Sequence, residues 1–180
     1  MAHRIPKPRK FRVLEIGSIS EGTLKVSDMM PTLLDLGERL LMGRKDRGEF
    51  IKVRNEWNQL VEDVETSAEE GEMDVDIDTY VPACDMFDEM IELLNSYTPD
   101  YTYLGMHHGD GANLGVWPMS ELLDNLGTDE EVDRSDELPV ASKVKQDHWL
   151  VVNDHGNCTL YRKVRWGRAG YRWVECWSVV

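Results

Sequence analysis

The chain changes its hydrophobic period partway along. Between residues 28 and 97 apolar side chains recur every three or four positions; from residue 101 onward they gather in short runs of strand formers separated by turn residues. Sequential hairpins give an antiparallel meander, and amphipathic helices cover one face of it. The expected fold class is therefore α+β. We expect one domain over residues 11–180, with about five strands and three main helices, preceded by a basic, flexible tail over residues 1–10.

The helices are expected over 28–41, 47–65 and 80–97. Ser27 caps the first, Pro31 falls in its first turn and Gly43 stops it. Asp46 caps the second, whose stripe is Phe50, Val53, Trp57, Leu60, Val61 and Val64. Asp78 or Thr79 caps the third; Pro82 sits in its first turn, and Val81, Met86, Phe87, Met90, Ile91 and Leu94 form its buried stripe. Strands are expected over 11–16, 101–106, 114–117, 149–152, 157–164 and 171–180, with a turn at 17–22 and a short helix at 119–126. On the last strand Tyr171, Trp173, Glu175 and Trp177 share one face. Acidic loops fill 66–78 and 128–138.

Charge is sorted along the chain. Its 34 Asp and Glu against 20 Lys and Arg give −14 overall. Residues 56–142 hold 24 of the acids and a single base, Arg134, while residues 1–55 and 143–180 are each net basic. A compact domain normally mixes signs to limit self-repulsion, so this block reads as a functional surface. On the third helix Asp85, Asp88, Glu89 and Glu92 form a row with no base at i±4. Glu62, Asp63 and Glu65 end the second helix, where acids oppose the macrodipole. Asp129, Glu130 and Glu131 add an adaptable loop margin. Such a surface suits a basic partner and repels nucleic acid and anionic membrane.

Specific chemistry is sparse. His107, His108 and Asp110 in one turn, with His155 in another, could make a divalent metal site if the turns meet. Those residue types are also ordinary turn formers. Residues 108–111 (HGDG) lack the lysine and helix of a phosphate loop. Cys84 lies in the first turns of a helix but beside Asp85, and Cys158 and Cys176 read as core fillers in strands. Three cysteines without a CxxC spacing indicate reduced thiols in a cytoplasm. No 18-residue apolar run is present. Most tryptophans read as core; Trp166, flanked by Arg165 and Arg168 at a hairpin tip, reads as a contact point.

Two segments carry a resemblance: 104–118 (LGMHHGDGANLGVWP) and 150–161 (LVVNDHGNCTLY). With 19–24 (ISEGTL) and 177–180 (WSVV), they resemble pieces of a group of small acidic proteins encoded by bacteria and phages. The group has no assigned function, so the resemblance implies a setting and no residue roles. A phage setting implies a protein that binds and blocks a host factor. The leading expectation is a non-enzymatic, cofactor-free protein docking a carboxylate-rich face on a basic, nucleic-acid-binding protein. One alternative is a small metal-dependent enzyme or metal-binding protein using the His/Asp turns. Another is a housekeeping interaction protein whose acids only solubilise it.

Overall fold

The computed structural model describes residues 14–70, 75–120, 122, 132–167 and 170–179. The basic tail over 1–10 and the loop carrying Asp129, Glu130 and Glu131 lie outside them, as does most of the helix expected at 119–126. Within them the fold is α+β: β1 (Gly17–Glu21), α1 (Val26–Leu40), α2 (Arg47–Glu70), α3 (Val81–Asn95), β2 (Thr102–His107), β3 (Asp110–Pro118), β4 (Val132–Ser135), a 3-10 turn (Ala141–Lys143), β5 (His148–Val152), β6 (Cys158–Trp166) and β7 (Gly170–Val179).

The expected single sheet is two. One has the order β1-β3-β2, all antiparallel; the other has the order β4-β5-β6-β7, in which β4 and β5 run parallel and the rest form the expected meander. β4 falls inside the stretch 128–138 expected to be an acidic loop. Its Val132 is buried against Leu150, Leu160 and Trp177, and this burial makes a strand of a segment whose local sequence is polar. The first strand also moves. Residues 17–22 read as a turn, yet Gly17 (φ 130°), a conformation suited to glycine, lets Gly17–Glu21 pair with β3. Leu14 instead enters the helical core and donates its N–H to the Tyr97 carbonyl at 3.0 Å.

The three helices and the first sheet share a core built on Met29, Met30, Leu33, Phe50, Val53, Met90, Leu94, Leu114 and Val116. α2 carries the period expected of it but runs on to Glu70, so residues 66–70 are helix and not linker. Asp46 does not cap it with its side chain: its carbonyl takes the Phe50 N–H, and its carboxylate accepts the Tyr97 hydroxyl. α1 starts two residues before expectation, which puts Pro31 in the helix interior. Its N-terminus is held from a distance. Asp78 Oδ1 accepts the Ser27 N–H at 2.8 Å, with Lys25 Nζ at 4.0 Å from the same carboxylate. Burial pushes the Asp78 carboxyl up; the Ser27 bonds and the Lys25 charge outweigh it and hold it below the usual value. The residue expected to cap α3 therefore ties α1 to the lead-in of α3.

α1 crosses α2 at Gly37. A Cβ there would stand 2.7 Å from Phe50 Cδ2, inside van der Waals contact, so the crossing depends on glycine. Beside it Glu38 accepts from Arg47 at 2.7 Å and Arg54 at 3.0 Å. Gly37→Ala should gain up to about 1 kcal/mol of helix propensity and lose about 1–3 kcal/mol to overpacking. Urea unfolding should show a net loss; a more stable variant would mean that the ring has room to move.

Candidate functional site

β7 is less regular than its sequence suggests. Leu160 faces Trp177, but Tyr161 faces Glu175, so Cys176 is an extra residue in a bulge. The bulge splits the expected face. Trp177, with Cys176, packs beside Leu150 and Leu160 on one side of the sheet. Trp173 lies on the other side against Trp149, its Nε1–H donating to the Pro139 carbonyl at 2.7 Å.

The side carrying Cys176 faces a cleft of about 1150 Å³, whose lining includes Ile16, Arg39, Asp100, Arg162, Cys176 and Trp177. Asp100 comes from the turn between α3 and β2. There Pro99 O accepts the Thr102 N–H at 3.2 Å and Thr102 Oγ1 at 2.8 Å. Tyr101 is held at φ 60°, the only positive φ among the described non-glycine residues. A non-glycine residue in that region is uncommon and strained by about 1 kcal/mol or more. Its ring packs edge-on against His148 at 5.1 Å.

The turn presents Asp100 to the second sheet. Its carbonyl accepts the Trp177 indole N–H at 2.8 Å. Its Oδ2 lies 3.3 Å from His148 Nε2, 3.3 Å from Arg162 Nη1 and 4.0 Å from Cys176 Sγ. His148 Nδ1 is buried without a hydrogen-bond partner among the described residues, and Nε2 faces the cluster. Burial, and then the Asp100 charge, push the Cys176 thiol up to about 11. Burial and the Asp100 charge therefore favour the neutral thiol at neutral pH.

Asp100, His148 and Cys176 have donor atoms mutually within 4.8 Å; among the described residues His107, His108, Asp110 and His155 form no such group. Their turns use them locally. His107 Nδ1 accepts the Gly109 N–H at 3.1 Å, Asp110 Oδ1 accepts the Ala112 N–H at 3.1 Å, and His155 stands 3.6 Å from neighbouring Asp154. The His107 and His108 rings pack on Trp117 and Tyr103. Nothing in the sequence flagged His148, and Asp100 read as part of a turn. Only the positive φ at Tyr101 and the bulge at Cys176 give the cluster away, and neither has a local sequence signature.

The acidic residues sit elsewhere. Glu62, Asp63 and Glu65 are exposed on α2, and Asp85, Asp88 and Glu92 on α3; among the described residues none of the six is in an ion pair. Glu89 departs from the expected row. It is half-buried, and Lys52 of α2 relieves it at 3.7 Å while also meeting Glu56 at 3.9 Å. The missing i±4 base is supplied across the helix pair. Trp166 is 53% exposed at the end of β6, with the Arg172 guanidinium stacked 3.6 Å from its ring centre. That cationic neighbour lies across the β6–β7 strand pair of the second sheet.

No helix among the described residues is long and apolar enough to cross a membrane. No protein-family model, curated protein or solved structure matches the chain. Because only a thiolate is alkylated, the iodoacetamide reaction at Cys176, followed by peptide mass spectrometry, should keep accelerating to about pH 11. A rate that levels off near pH 8.5 would mean that Asp100 and burial do not act on this thiol.

Proposed function

We propose that this protein is a non-enzymatic binding protein that docks an acidic helical face on a basic surface of a nucleic-acid-binding protein and inhibits it, in the manner of a DNA mimic. The observation that carries the reading is the set of exposed carboxylates on two packed helices that have no ion-pair partner among the described residues: Glu62, Asp63, Glu65, Asp85, Asp88 and Glu92. Asp63 accepts the Gln59 side-chain amide at 2.9 Å within α2, but the placement of the row opposes the helix dipoles. α2 has acids and no base toward its negative C-terminal end, and α3 has no acid in its first turn.

Their spacing suits the role. The exposed carboxylates at 85, 88 and 92 recur every ~4.5–6 Å of helix axis, given a rise of about 1.5 Å per residue, the same order as a phosphate row. One strand of DNA presents a charge about every 3.4 Å. Glu89, tethered to Lys52, gives the row one fixed point, and the exposed members are free to meet cations of a partner. A phage-encoded inhibitor acting in the host cytoplasm is the setting in which such a face has a use, with Trp166 as a secondary contact.

Affinity capture from bacterial lysate at low and high salt tests this. A basic nucleic-acid-binding protein should be retained at low salt and released at high salt. The triple reversal Asp85→Lys, Asp88→Lys, Glu92→Lys should abolish capture and leave thermal stability within about 1 kcal/mol, because exposed like-charge contacts are worth only a few tenths each. Capture that survives the reversal, or that ignores salt, would return the acids to a solubilising role.

A further inference from the structure

We propose that Asp100, His148 and Cys176 form a binding site for a zinc-class divalent metal ion in the wall of the cleft beside β7. The proposal is independent of the acidic docking face. Imidazole nitrogen, thiolate sulfur and carboxylate oxygen together are the donor set that zinc-class ions take. Tetrahedral bonds of about 2.0–2.3 Å place donors roughly 3.3–3.8 Å apart. Here His148 Nε2 and Asp100 Oδ2 are 3.3 Å apart, Cys176 Sγ and Asp100 Oδ2 are 4.0 Å apart, and all three lie within 4.8 Å. Closing on an ion needs shifts of about an ångström or less.

Three features of the backbone bring the donors together. The strained Tyr101 delivers Asp100, and the Trp177 indole bond to the Asp100 carbonyl anchors it to the sheet. The bulge in β7 turns Cys176 to the same side as Trp177, which is a recurrent use of bulges. His148 has one ring nitrogen buried without a partner among the described residues and the other aimed at the cluster. Both Asp100 and Cys176 line the cleft, so the ion's fourth position opens to solvent or to a small ligand.

Arg162 now holds the cationic place, with Nη1 3.3 Å from Asp100 Oδ2. Its side chain is 54% exposed, and such surface pairs are worth about 0–1 kcal/mol, so an ion displaces it at little cost. Binding releases the Cys176 proton to solvent as the sulfur–metal bond forms. Asp100, Arg162 and Glu175 are the charged groups facing that thiol.

The test is Co²⁺ titration of the full chain with its thiols reduced, followed by Zn²⁺ competition. A single equivalent should produce a thiolate-to-cobalt charge-transfer band in the near ultraviolet, which Zn²⁺ should bleach. Cys176→Ser should remove the band. Asp100→Asn and His148→Gln should each weaken binding at least tenfold. The triple variant His107→Gln, His108→Gln, His155→Gln should leave binding unchanged. Circular dichroism checks that each variant folds. On the unmutated protein, Zn²⁺ should slow alkylation at Cys176 and leave Cys84 unaffected. No stoichiometric band, a band that survives Cys176→Ser, a band lost in the triple variant, or no protection of Cys176 would each overturn the site.

Discussion

The turn over residues 97–102 is the joint on which both halves of the molecule depend. On one side Tyr97 accepts the Leu14 N–H through its carbonyl and donates its hydroxyl to Asp46, tying the chain's lead-in and the start of α2 to the end of α3. Burial, and then the bond to Asp46, push that phenol up to about 12, so it stays a neutral donor at ordinary pH. On the other side the Asp100 carbonyl accepts from Trp177, and its carboxylate meets His148 and Arg162. Ile16 packs against both cores and fills the seam next to the joint. A left-handed tyrosine persists here because its surroundings over-determine it.

The acidic helix residues and the Asp100 cluster differ in kind. The exposed carboxylates are spread along two helices, and under the proposed function they meet a large partner through long-range charge. The Asp100 cluster is compact and partly buried, and it suits a small cation. Lys52 shows why the acids are not simply additive. It is shared between Glu56 and Glu89, and the outward carboxylates at 85, 88 and 92 have no counter-ion among the described residues.

How far each feature could be read beforehand follows from how local its cause is. The stripes of α2 and α3 are periodic over many residues, and both helices form where the period places them. The hairpin of β2 and β3, with His108 and Gly109 in its turn, is encoded within a dozen residues. The acidic rows were equally legible, because helical spacing alone puts 85, 88 and 92 on one edge. The divided sheet was not legible: β4 becomes a strand only because Val132 finds the apolar floor of the second core. The shared face assigned to Trp173 and Trp177 failed for one reason, the inserted Cys176, since a single extra residue reverses every side chain beyond it.

The sequence alone determined the α+β class, the three helices, the meander over β5–β7 and the sorting of charge. These rest on interactions within a helical turn, between neighbouring strands, or on composition. Tertiary structure decided the second sheet, the capping of α1 by Asp78, the pairing of Glu89 with Lys52, and the meeting of Asp100, His148 and Cys176. The last two partners stand 48 and 76 residues along the chain from Asp100. Contacts at such separations depend on register, a bulge and one strained turn, and no residue spacing announces them.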